Sequence, residues 1–262
     1  MTPYDFLNQI LERKRLGLEK AMKEIPERDL RQRAECVKEH RSLRDKLADS
    51  GDVNIIAEIK RASPSKGSIR ENLKPESYAE TYERGGAAAI SVLTEPHYFH
   101  GSPEDLKKAR TATSLPVLRK DFLISTYQIY ESAAMGAEAV LLIVRGLPAA
   151  FLKDALELCS ELTLDALVEV HWEKELETAS WAGARLVGIN NRDLTTFQTD
   201  IQNSIRISRF LDKRQVAVAE SGIGSRRDVE KLISAGIRNF LIGESLVRSD
   251  DPQRLLKQLM AR

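Results

Sequence analysis

The chain has 262 residues, 42% of them hydrophobic and 30% charged, with a formal net charge of +1. That length holds one large α/β domain or two small ones, and the near-neutral balance gives no basis for nucleic acid or an anionic membrane as partner. Cys36 and Cys159 stand far apart without a metal-ligand neighbourhood, which excludes a disulfide framework and fits a reducing cytoplasm.

The chain opens with MTPYDFLNQILERKR, where charges come too early for a secretory leader. No stretch approaches the roughly 18 apolar residues of a membrane span. Phe6, Leu7, Ile10, Leu11, Leu18 and Met22 recur at helical spacing, and Pro3 suits a helix start. Pro26 interrupts this pattern. RDLRQRAECVKEHRSLRDKLADSG then reads as one or two short polar helices ending at Gly51. Residues 1–50 are therefore expected to be a helical extension packed on a main body that spans 51–262, in a single domain overall.

From Val53 onward, short apolar runs alternate with amphipathic helical patterns. Strands are predicted at 53–60, 87–94, 115–120, 137–144, 164–171, 185–190, 215–221 and 239–243. Between them lie helical patterns such as KPESYAETYERGG, LPAAFLKDALELCSEL and SRRDVEKLISAGI. Several end in Gly-Ala or Gly-Ile just before the next strand, as a left-handed helix stop would. Eight βα units in about 210 residues point to an α/β fold, a closed (β/α)8 TIM barrel with an N-terminal helical extension. No G-x-G-x-x-G follows any strand, which disfavours an open doubly wound sheet.

Side chains of a barrel strand alternate between the interior and the helix layer. In the first strand Val53, Ile55, Ala57 and Ile59 are wholly apolar and should meet helices. Ile56, Glu58 and Lys60 share the other parity, so the acid and the base point inward near the C-terminal mouth. The same address recurs at Lys120 in PVLRKDF, Glu169 in ALVEVHW, Asn190 and Arg192 in GINNRDL, and Glu220 and Ser221 in VAESGIG. Barrel active sites are built at that end. A buried Glu58–Lys60 ion pair kept for structure alone would seldom offset its desolvation. Glu169, with apolar neighbours on both sides, suits a proton-transfer role. His171 reads as a rim residue only.

A phosphate grip is the second signal. AESGIGS after the seventh strand and LIGES after the eighth supply Gly222 and Gly243, with free backbone N–H groups leading into helix starts. Ser63, in the first loop, could add a hydroxyl. The Glu244 carboxylate would repel a phosphate, so its backbone N–H is expected to face the anion and its side chain to turn away.

The run IIAEIKRASPSKG resembles the signature of the indole-3-glycerol phosphate synthase family. LRKDF, LVEVH, GINNRDL, AESGI and IGES resemble that family's later motifs in the same order, and the resemblance covers essentially the whole chain. It implies a phosphorylated small-molecule substrate, 1-(2-carboxyphenylamino)-1-deoxyribulose 5-phosphate, closed to indole-3-glycerol phosphate with loss of carbon dioxide and water. By the resemblance, Lys120 is the general acid of ring closure and Glu169 the base of aromatisation. Lys60 is the cation near the substrate carboxylate and a second proton donor. Glu58, Asn190, Arg192, Glu220 and Ser221 orient the lysines and bind the ribulose hydroxyls, while Ser63, Gly222, Gly243 and the backbone of Glu244 hold the phosphate. No cofactor and no metal is expected, nor a nucleic-acid or membrane partner; a cytoplasmic monomer or weak homodimer is. Two alternatives stay open. One is a phosphoribosylanthranilate isomerase-like barrel, which calls for a cysteine on the first strand, where this chain has Glu58 and Lys60. The other is a non-catalytic phosphate-binding barrel serving as a scaffold, expected to have lost Lys120 or Glu169.

Overall fold

All eight predicted runs form strands. In chain order the barrel strands are β1 (Asn54–Ile59), β4 (Ala89–Leu93), β5 (Val117–Lys120), β6 (Ala139–Ile143), β7 (Asp165–Val170), β8 (Leu186–Asn190), β9 (Val216–Glu220) and β10 (Asn239–Ile242). A small antiparallel hairpin, β2 (Ala62–Ser63) and β3 (Gly67–Ser68), interrupts the numbering after β1. The computed structural model describes residues 3–37, 40–48, 51–193 and 196–261. Residues 38–39 and 49–50 of the predicted extension helices, and Leu194 at the end of GINNRDL, lie outside them.

The strands close in the order β1-β10-β9-β8-β7-β6-β5-β4, every neighbour parallel. Parity works as the sequence predicts. Ile56 packs inside the barrel with Leu118, Leu141, Leu167, Val218 and Leu241. Ile55, Ala57 and Ile59 face outward into a layer with Tyr82, Leu106, Val229 and Leu256. Between the strands run α4 (Pro75–Arg84), α5 (Pro103–Thr111), α6 (Thr126–Ala134), α7 (Ala149–Glu161), α8 (Glu173–Ala182), α9 (Gln202–Ile207), α10 (Arg226–Ser234) and α11 (Glu244–Arg248), with α12 (Pro252–Met260) closing the ring. Gly86, Gly136, Gly183 and Gly236 hold φ between 82° and 95° just before Ala87, Ala137, Ala184 and Ile237. Those are the left-handed helix stops that Gly-Ala and Gly-Ile announce.

The N-terminal segment forms α1 (Pro3–Glu24), α2 (Glu27–Glu35) and α3 (Leu43–Ala48). The apolar pattern of α1 is buried only in its first half: Leu7, Ile10 and Leu11 are covered, whereas Met22 is 44% exposed. The later half is held by polar contacts. The Tyr127 hydroxyl of α6 shares its proton between the carbonyls of Ala21 and Ile25, each at 3.0 Å. Lys14 pairs with the buried Asp121, one residue beyond β5. Burial pushes the Asp121 carboxyl up, but Lys14 and Arg119 outweigh it and hold it below the usual carboxylate range. No helix among the described residues is long and apolar enough to cross a membrane.

Tyr127→Phe removes the bond to the end of α1 and takes a donor from the Ile25 carbonyl, while the Ala21 carbonyl keeps the Ile25 N–H at 2.9 Å. The expected loss is about 1 kcal/mol, or roughly 2–4 °C in the thermal midpoint for a chain of this size. An unchanged midpoint by calorimetry would detach this hydroxyl from the anchoring of α1.

Candidate active site

Parallel strands in a barrel all end on one face, so side chains from remote positions meet there. The twelve residues singled out from the sequence all line one cavity of about 970 Å³ at the C-terminal mouth. Neighbouring registers bring some together directly: Asn190 pairs with Glu220, and Ile143 with Glu169.

The charged groups interlock. Lys60 Nζ lies 2.8 Å from Glu58 Oε1. Lys120 Nζ donates to Glu220 Oε2 at 3.1 Å and lies 3.6 Å from Glu169 Oε2. Glu58, Glu169 and Glu220 are 5%, 3% and 1% exposed. Burial alone would discharge Glu58 and Glu220. Burial pushes the Glu58 carboxyl up, yet Lys60, Lys120 and Arg192 hold it below the ordinary range. Burial presses the Lys120 ammonium down, but Glu220, Glu169 and Glu58 outweigh that and raise it, so it is charged at neutral pH. Glu220 is pushed up to about 7 by burial; Lys120 pulls it back, while Glu169 and Glu58 add repulsion. Its second oxygen, Oε1, is buried with no hydrogen-bond partner among the described residues. It lies where a Cβ at position 188 would be, so glycine at 188 is what gives that carboxylate its room. Gly243 does the same for the Glu58 carboxylate.

On the side of β8 and β9, Asn190 Oδ1 accepts from the Arg192 backbone N–H at 2.9 Å. The Arg192 guanidinium donates to the Phe197 carbonyl at 2.9 Å and to Ser65 Oγ at 3.3 Å. Ser221 and Gly222 follow β9 with φ of 67° and 74°, two successive left-handed residues that turn the backbone sharply. A Cβ on Gly222 would meet Thr199. Ser63 Oγ is buried and has no hydrogen-bond partner among the described residues. The Glu244 carboxylate accepts from Arg248 Nε at 3.2 Å and lies 3.9 Å from Arg192.

Two features escape sequence reading. The first is an apolar wall. Phe6, Ile10, Phe99, Phe122, Ile143 and Phe197 line the same cavity. Phe6 stands edge-on to Tyr98 at 5.0 Å and to Phe197 at 5.8 Å, and Phe99 lies 6.2 Å from Phe122. Phe99, Phe122 and Phe197 sit in loops, where no strand or helix period marks them; Phe6 and Ile10 share the helical spacing of α1, which says nothing of a cavity, and Ile143 ends β6. The second is His171, which is no rim residue: it is 3% exposed, and its Nε2 lies 3.5 Å from Glu169 Oε1. A signal was present, since His171 keeps the inward parity of Leu167 and Glu169.

The fold recurs in solved structures. A thiamine phosphate pyrophosphorylase from Pyrococcus furiosus superposes with a TM-score of 0.62 at 18% identity, covering 83% of this chain and 96% of that one. That likeness speaks for the barrel alone. Sequence relatives are much nearer. An indole-3-glycerol phosphate synthase of Desulfosudis oleivorans is 54% identical over 98% of both chains. One of Syntrophobacter fumaroxidans is 52% identical over 97% of both. The family model described as indole-3-glycerol phosphate synthase matches residues 7–259, the barrel and nearly all of its helical extension. The order of motifs, the barrel that carries them and this near-complete match agree: the chain belongs to the indole-3-glycerol phosphate synthase family.

Proposed function

We propose that this protein closes 1-(2-carboxyphenylamino)-1-deoxy-D-ribulose 5-phosphate to indole-3-glycerol phosphate, releasing carbon dioxide and water. The observation that carries the reading is the convergence of Lys60, Lys120, Glu58, Glu169 and Glu220 on one cavity, with Lys120 held between Glu220 and Glu169. The balance is one substrate carboxylate and one proton in, and carbon dioxide, water and a neutral indole out. Lys120 enters protonated and gives its proton to the ketone oxygen as the ring carbon bearing the carboxylate attacks. Carbon dioxide then leaves, its bonding electrons staying with the ring. Lys60, beside that carboxylate until it departs, protonates the hydroxyl that leaves as water. Glu169 removes the proton whose loss restores aromaticity.

The other residues bind. The phenyl wall of Phe6, Phe99, Phe122 and Phe197 suits the aromatic half of the substrate. Glu58 holds Lys60 and Glu220 holds Lys120, while Asn190, Arg192 and Ser221 face the ribulose hydroxyls. Ser63, Gly222, Gly243 and the Glu244 backbone take the phosphate. The unpartnered Ser63 hydroxyl and the engagement of the Glu244 carboxylate by Arg248 both favour an anion there. We read residues 1–50 as an extension of one catalytic barrel, 51–262, working in the cytoplasm as a monomer or weak homodimer.

The direct test mixes purified protein with the carboxyphenylamino sugar phosphate and follows indole fluorescence; no signal at micromolar enzyme would overturn the reading. Lys120→Met is expected to cut kcat by about 10²–10⁴, the usual worth of a general acid, with the circular dichroism spectrum unchanged. Glu169→Gln should lose kcat on the same scale while KM stays within a few-fold; a rise in KM alone would recast Glu169 as a binding residue. Gly188→Ala places a methyl group against the Glu220 carboxylate. Shifting that anchor of Lys120 is expected to lower kcat by about 10-fold or more, and wild-type turnover in this variant would remove Glu220 from the positioning of Lys120.

A further inference from the structure

His171 follows β7 directly and turns its ring inward beside Glu169. Glu175, in the first turn of α8, fixes it twice. Its Oε2 accepts from the His171 backbone N–H at 2.6 Å and lies 3.3 Å from ring Nδ1. Arg145, in the turn Val144–Gly146 after β6, donates to Glu175 Oε1 at 3.0 Å. Burial pushes the Glu175 carboxyl up, but His171 and Arg145 outweigh it and keep it below the usual range, hence ionised. An ionised carboxylate only accepts, so Nδ1 carries the ring proton and, in the neutral ring, Nε2 is a bare acceptor. Nε2 is buried and has no hydrogen-bond partner among the described residues. Its neighbour is Glu169 Oε1 at 3.5 Å, while Glu169 Oε2 faces Lys120 of β5 at 3.6 Å. From α9, Asn203 Nδ2 donates to the His171 carbonyl at 3.3 Å.

We propose that His171 is a positioning residue for Glu169, holding an acceptor where the proton collected by Glu169 arrives. With a neutral ring opposite a carboxylate, a lone pair faces Oε1 and no hydrogen bond forms. Once the proton passes from the ring-closed intermediate to Oε1, its former bonding pair returns to the ring, and Oε1–H donates to Nε2. The contact therefore favours the product of the base step over its reactant, which is what accelerates a step. Glu175 and Arg145 hold the ring in the tautomer that does this. The inference rests on the reading of Glu169 as base.

Two substitutions separate the two ring nitrogens. His171→Asn keeps a donor near Nδ1 for Glu175 but ends short of Glu169. His171→Gln reaches the position of Nε2 with an amide oxygen that accepts. His171→Asn is expected to lower kcat about 10-fold, the worth of one hydrogen bond made only in that state, with KM within twofold. His171→Gln should recover most of the loss. In a Glu169→Gln background, His171→Asn should cost nothing more, because it acts through the missing carboxylate. Wild-type kcat in His171→Asn, equal losses in both variants, or full additivity with Glu169→Gln would overturn the proposal. If His171→Asn fails to fold by circular dichroism, His171→Gln alone decides, its kcat within about fivefold of wild type supporting the proposal and a larger loss overturning it. A Glu169→Gln enzyme with undiminished turnover would instead defeat the assignment of the base, and His171 with it, so the two failures are told apart.

Discussion

One ammonium group organises the barrel mouth. Lys120 lies 3.1 Å from Glu220 and 3.6 Å from Glu169, and all three are largely withdrawn from water. In such surroundings each charge is costly alone and tolerable only with the others. The Lys120 charge lets two acids stay near one another, and the two acids keep the lysine protonated. Burial, with repulsion from Glu169 and Glu58 added to it, pushes Glu220 up to about 7 against the pull of Lys120. Charges this close act on one another, so a change at one of them is felt at the rest.

Such an arrangement needs a frame that does not yield. The eight parallel strands supply it by ending on one face, and the loops beyond them are fastened separately. Glu95, 1% exposed, accepts from the backbone N–H groups of His97, Tyr98 and Phe99, and so sets the loop that brings Phe99 to the cavity. Gln128 accepts from Ile124 N–H and donates to the Phe122 carbonyl, which shapes the loop after Lys120. Arg61 ties the first loop to Asp105 and to the Leu73 carbonyl. The N-terminal helix completes the wall with Phe6, Leu7 and Ile10, and its Lys14–Asp121 pair joins it to the residue beside Lys120. The extension and the strand end that carries Lys120 are thus linked through one buried carboxylate.

What could be read beforehand follows from periodicity. A strand period of two assigns inside and outside without coordinates. Ile56, Glu58, Leu167 and Glu169 were legible for that reason, and Gly86 or Gly183 by the sharp helix stop each provides. Loop residues obey no period, which is why Phe99, Phe122 and Phe197 went unseen although they line the cavity. His171 was misread although the predicted strand, 164–171, includes it and gives it the parity of Glu169; what fixes and covers it is Glu175 of α8, which a strand period does not reveal. Gly188 was silent for another reason. A missing side chain has meaning only once its neighbour is known, and that neighbour, Glu220, is 32 residues away.

The same logic explains where the structure leaves polar atoms unsatisfied. Buried donors and acceptors without hydrogen-bond partners are uncommon in folded proteins; among the described residues some lie elsewhere, such as Glu76 Oε2 and Ser91 Oγ, but Ser63 Oγ, Glu220 Oε1 and His171 Nε2 gather at one end of the barrel. Each belongs to a side chain whose other contacts, or whose backbone, hold it firmly. Glu220 is held through Oε2 by Lys120, and His171 through Nδ1 and its N–H by Glu175. Ser63 is held by the β2–β3 hairpin. A chain shaped for stability alone would pair these atoms or replace them with apolar groups. Under the proposed function, unpaired atoms of this kind cost stability and hold their hydrogen bonds for species formed from the substrate. The apolar layers between strands and helices are what hold the fold while these atoms stay unpaired.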